Sequence, residues 1–261
     1  MIPALAHWWV RILVMIGACA ASGLVVGLGT DVAPEAAQSL VYGVAVVTMV
    51  AIATYRPGGV AVSSGIVPTP ATLRFALMGT VWAVLSLAAV ATAGLALGGR
   101  FVPVTNDVPM LHGVTGIILF AIGEEVVFRG TIFEALEERF GPILAIVVTS
   151  VPFALVHAAN PGASLLSIVN VALAGIALGT CVAITHTLWT AIMFHVVWNV
   201  GTALFFGLVS GLDLGVGITE LSTTGIAESR VATVIGPFGI EDGLVTTLLL
   251  LAATAILARW R

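Results

Sequence analysis

Two adjacent carboxylates open the case for chemistry. Glu124 and Glu125 stand five and four residues before Arg129 in the run Ile122-Gly-Glu-Glu-Val-Val-Phe-Arg-Gly130, and later apolar stretches supply His157, His195 and Asn199. A carboxylate beside an imidazole can hold a water and take its proton, while a second imidazole and an amide can donate hydrogen bonds to the oxyanion of an attacked carbonyl. Those are the parts of an amide-hydrolysing site that needs no Ser or Cys nucleophile. Glu124, His157 and His195 also suit Zn²⁺ with water in a fourth position. The residue inventory admits both the metal-free and the zinc version.

These groups sit in a chain built for lipid. Hydrophobic residues make up 59% and charged residues only 8%, against about 25% charged in soluble domains, and mean hydropathy is +1.16. The expected fold class is an all-α, polytopic transmembrane bundle. A charge near a bilayer centre costs on the order of 3 kcal/mol even on lenient scales, so a carboxylate there calls for a function and a partner. Eight stretches approach the roughly 20 apolar residues of a spanning helix: 8–29, 38–55, 73–98, 112–139, 142–159, 163–181, 185–209 and 241–258. Helix-stopping residues separate them, among them Pro34, Pro57-Gly-Gly59, Gly98-Gly99, Gly141-Pro142 and Asn160-Pro-Gly162. With no tandem repeat and no separate soluble segment, residues 1–261 read as one transmembrane domain.

The arginines orient it. All nine basic residues are Arg, and seven (Arg11, Arg56, Arg74, Arg129, Arg139, Arg259, Arg261) fall on the side of the termini against Arg100 and Arg230 on the other. The positive-inside rule then places both termini in the cytoplasm, which needs an even number of spans. Asp31, Glu35, Asp107, Asp213, Glu220, Glu228, Glu241 and Asp242 fall outside. Ile16-Gly-Ala-Cys19 loosely resembles a lipoprotein cleavage box, but apolar residues continue to Leu28 and read as a span. Cys19 and Cys181 lie in apolar runs and read as packed thiols. Nothing points to nucleic acid.

Depth brings the polar residues together. Glu124 lies seventeen residues before Gly141 and His157 sixteen after it, so a helical hairpin puts both about 25 Å from its tip. The tip carries Glu134, Glu137, Glu138 and Arg139 and is expected in the cytosol, with the pair inside the membrane toward the cytoplasmic half. His195 and Asn199 are one helical turn apart on one face.

Structural readings stand beside the functional ones. Glu125 and Arg129, four apart in the favourable order, read as a local ion pair, which leaves Glu124 free to act. An isolated membrane His or Asn commonly hydrogen-bonds between helices, and Asn199 can serve that way. Phe153 reads as packing, and Asn160 suits either a cap before Pro161 or a site-lining residue. His7, His112 and His186 lie near span ends and carry no assigned role.

Three motifs in order strengthen the chemical reading. Glu124-Glu-Val-Val-Phe-Arg129 resembles EExxxR, Phe153-Ala-Leu-Val-His157 resembles FxxxH, and His195-Val-Val-Trp-Asn199 resembles HxxxN of the CPBP intramembrane proteases, the Abi or CAAX protease family. The resemblance covers about 112–205. It implies a bundle of about eight helices and a glutamate-dependent endopeptidase without a metal cofactor. Glu124 would be the base, His157 its partner in positioning water, and His195 with Asn199 the oxyanion donors; Glu125 and Arg129 would support the site. A short, Lys-free chain suits a prokaryotic multi-pass protein of the cell membrane, acting on a membrane-associated peptide or protein near the inner face. The rival classes are a proton-coupled transporter and a non-catalytic bacteriocin-immunity protein.

Overall fold

The computed structural model describes residues 55–56, 59–60, 65–106 and 109–260. The expected span 8–29, and 38–55 up to residue 54, lie outside the described residues. Tyr55 opens β1 (Tyr55–Arg56), which pairs antiparallel with β2 (Gly59–Val60).

The rest is a helical membrane protein. Among the described residues four helices are long and apolar enough to cross a bilayer: α1 (Thr72–Ala96), a continuous run Met110–Phe140, α5 (Leu165–Thr185) and α6 (Trp189–Phe206). Within that run, α2 (Met110–Glu125) passes into a π-helical segment, Val126–Ile132, and then α3 (Phe133–Phe140). Two shorter apolar helices are α4 (Pro142–His157) and α8 (Leu244–Leu257); α7 (Glu228–Val231) is a single turn.

Local chemistry sets the boundaries. Gly141 takes a positive φ of 85° and Pro142 follows at the first helical position, where its missing N–H costs nothing, so the hairpin tip falls where the sequence puts it. Ser164 caps α5 with Ser167 in a reciprocal capping box, and its hydroxyl also donates to Asp242. The eighth stretch starts later than expected because Ile240–Asp242 forms a 3₁₀ turn with both Glu241 and Asp242 buried.

Strands at one end depart from the all-α expectation. β3 (Arg100–Pro103) pairs antiparallel with β6 (Thr219–Ser222), and β4 (Leu208–Val209) with β5 (Leu212–Asp213). Chain leaving the helices must still satisfy its backbone groups, and pairing two connections does so.

Close helix approach builds the frame around the site. A Cβ on Gly79 of α1 would overlap the Thr190 carbonyl of α6, and one on Gly175 of α5 would press on Ser150 of α4. Small residues of this kind let membrane helices pack backbone to backbone. The contacts make α1 and α6 parallel and α4 and α5 antiparallel. One end of the bundle therefore carries Gly65, the Gly141 tip and the α5–α6 turn. The opposite end carries the β3–β6 ladder, the turn after His157, and the loop from Gly207 to Gly243.

Candidate active site

Glu125 is the hub of the site. It ends α2 fully buried, and its Oε1 accepts from Arg129 Nη1 at 2.8 Å and from His195 Nδ1 at 2.8 Å. The π-helical turn begins immediately afterwards and carries Arg129, which is also fully buried. Such turns occur often at functional sites. The guanidinium lies over the Phe153 ring, 4.1 Å from its centroid.

Glu124, one residue back, points elsewhere. It is partly exposed, and its Oε2 stands 3.5 Å from His195 Nε2. With His195 donating Nδ1–H to Glu125, Nε2 is the nitrogen left to exchange a proton with Glu124. The imidazole beside Glu124 is thus His195, from α6, in place of the expected His157.

His157 closes α4 and is buried. Its Nδ1–H donates to the Phe153 carbonyl at 2.7 Å. A carbonyl can only accept, so neutral His157 carries its lone pair on Nε2. Phe153 packs against both imidazoles, with ring centroids 4.8 Å from His157 and 6.1 Å from His195.

The two imidazoles and Phe153 border a cavity between α1, α4, α5, α6 and α8, which Glu124 does not line. Phe153, His157, His195 and Asn199 line it, as do Trp198, Ser210 and Glu241. Its volume is about 50 Å³, several times the ~10–15 Å³ that one water requires. Most of its wall is apolar, with Val171, Leu178 and Leu250 among the lining residues. Asn199 follows His195 by one turn and shares the cavity. Asn160 sits just outside, its Nδ2 donating to the Ser210 carbonyl at 2.9 Å.

The cavity lies far from the Gly141 tip. His157 is the last residue of α4, at the end away from the Gly141 tip, and Ser210 and Glu241 belong to that same end. The cavity reaches from mid-bundle to the ladder end, so it occupies the half opposite the tip. The count from the tip holds for His157, but α4 is only 16 residues long, so a residue that far from the tip lies at its opposite end.

Among the described residues no group of three or more His, Cys, Asp or Glu is arranged to hold a metal ion. Glu124, His157 and His195 do not converge as a ligand set, and His195 Nδ1 is already engaged by Glu125.

Residues 106–201 match the family described as Type II CAAX prenyl endopeptidase Rce1-like. That match supports the CPBP, or CAAX protease, resemblance of the three motifs. A comparison with curated proteins finds no match. The matched segment holds every motif residue named above, and it leaves out Ser210 and Glu241.

Sequence reasoning missed those two and Trp198. Glu241 accepts from Trp198 Nε1 at 3.1 Å and from the Ser210 N–H at 2.7 Å, and Asn170 Nδ2 donates to its carbonyl at 2.8 Å. A signal was present: an acid at the edge of an apolar stretch invites the same question as Glu124.

Proposed function

We propose that this chain is an intramembrane endopeptidase that hydrolyses a peptide bond with a water activated by Glu124, without a metal. The observation that carries the reading is His195, fixed on one nitrogen by the buried Glu125–Arg129 pair and presented to Glu124 by the other, on the wall of a cavity with room for water. A separation of 3.5 Å suits a site that tightens once substrate arrives.

Glu124 takes a proton from the attacking water, and the new C–O bond makes a tetrahedral oxyanion. His157, with its lone pair on Nε2, holds that water, and the Asn199 amide and His195 Nε2–H donate to the oxyanion. The proton held between Glu124 and His195 then passes to the leaving amine as the C–N bond breaks. Acid and amine are the products, and one water is consumed.

The substrate in this reading is a membrane-associated peptide or protein whose apolar side chains beside the scissile bond fit the cavity wall. The chain as a whole is one transmembrane domain of eight spans in the cell membrane, with both termini cytoplasmic. Arg74, Arg139 and Arg259, all toward the tip end, support that sidedness. On that assignment the cavity lies in the outer half of the bilayer.

The test compares wild type with Glu124→Gln and His157→Ala in liposomes, scored for one specific cleaved membrane peptide at equal protein. Both variants are expected to lose the cleavage, and chelators are expected to leave the wild-type rate unchanged. Equal proteolysis in all three proteins would refute the reading, and solute flux lost without proteolysis would favour transport.

A further inference from the structure

We propose that Ser210 is a substrate-binding residue, its hydroxyl hydrogen-bonding the peptide backbone beside the scissile bond. The proposal rests on the protease reading. Ser210 lines the cavity together with His157, His195 and Asn199, yet comes from the loop after α6, beyond the family-matched segment.

Its backbone is unusual and held in place. Among the described residues only His186 and Ser210 combine a side chain with positive φ, and Ser210 sits at 47° between Gly207 and Gly211, both also positive. Ser210 and Gly211 are the two central residues of the β4–β5 hairpin, a tight turn that needs positive φ at both and that glycine or asparagine adopts most readily. Three elements fix it: Glu241 Oε2 accepts its N–H at 2.7 Å, Asn160 Nδ2 donates to its carbonyl at 2.9 Å, and the next N–H, of Gly211, bonds the Phe238 carbonyl at 3.0 Å. Glu241 is itself fixed by Trp198 on α6.

Both backbone groups of Ser210 are therefore occupied. Among the described residues its hydroxyl has no hydrogen bond, and it is the polar group left for a ligand. An entering peptide loses water from its own N–H and C=O groups, and along a mostly apolar wall each needs a new partner.

Ser210→Gly separates binding from folding, because glycine accepts the same φ and keeps both backbone bonds. The probe is a fluorescent, lipid-anchored peptide with apolar residues around the cleavable bond. Its affinity is measured by anisotropy on the Glu124→Gln protein and its turnover on the parent. We expect Ser210→Gly to weaken binding and raise KM about three- to tenfold, the worth of one neutral hydrogen bond. Turnover should stay within about twofold and thermal stability should be equal or higher. Ser210→Asn, polar and tolerant of positive φ, should restore binding. Unchanged affinity and KM in Ser210→Gly would overturn the proposal. Equal cleavage by the parent and Glu124→Gln would instead refute the protease reading, and the anisotropy comparison would still decide the role of Ser210.

Discussion

Glu125→Gln isolates the charge of the site's hub from its hydrogen bonds. Arg129 Nη1 and His195 Nδ1 both bond the same oxygen, Oε1, and Oε2 has no partner among the described residues. A glutamine carbonyl placed at Oε1 keeps both bonds while removing the negative charge. Arg129, with no exposed surface, is then left as an uncompensated buried cation. Removing one partner of such a pair costs about 3–5 kcal/mol. For a chain of this size that is a fall in unfolding temperature of roughly 10 °C. Adding Arg129→Met removes the second charge and should recover most of the loss, because neutral replacement of a whole buried pair is commonly near neutral. The assay is thermal unfolding in detergent, with peptide cleavage measured below the transition of each protein. Since His195 keeps its partner, residual cleavage by the double variant should exceed that of Glu125→Ala, which loses both bonds. Glu125→Gln unfolding within about 1 kcal/mol of wild type, or a double variant no more stable than the single, would refute this account of the hub.

Two further outcomes follow from the geometry. Asn199→Ala should lower kcat by about 10²–10³, the usual effect of losing an oxyanion donor, with little change in unfolding because the side chain borders the cavity; a rate within about threefold of wild type would remove Asn199 from that role. Gly79→Val should destabilise the α1–α6 pair by about 1–3 kcal/mol or more, since even a Cβ there overlaps the Thr190 carbonyl. Unfolding in detergent reads it directly, and an unshifted transition would mean that the two helices do not meet at this depth.

What the sequence made legible follows from its spacing. Glu125 with Arg129 and His195 with Asn199 are each one helical turn apart, a relation that holds in any straight helix, and both pairs share a face in the structure. The Gly141-Pro142 turn was equally local, since a positive φ followed by a helix-starting proline is written in two residues. Pairing across helices was harder. The partner of Glu124 depends on rotation about the axis of α2 at the point where its winding changes, and residue counting carries no rotation. Matched depth therefore favoured His157, whereas Glu124 faces His195.

The loop was harder still, and the reason bears on how the site works. Ser210 and Glu241 are thirty-one residues apart, and no periodicity links a turn after one helix to the approach of another. Their bond depends on α5, α6 and α8 packing together, with Asn170 of α5 holding the Glu241 carbonyl and Trp198 of α6 its carboxylate. Trp198 adjoins Asn199 and lies one turn from His195 and its hub. One side of α6 is thus tied to Glu125 through His195 and, three residues on, to Glu241 through Trp198. A shift of α6 along its axis strains both carboxylates together. That coupling makes α6 the element whose position sets both the Glu124–His195 pair and the cavity wall that the proposed peptide would meet.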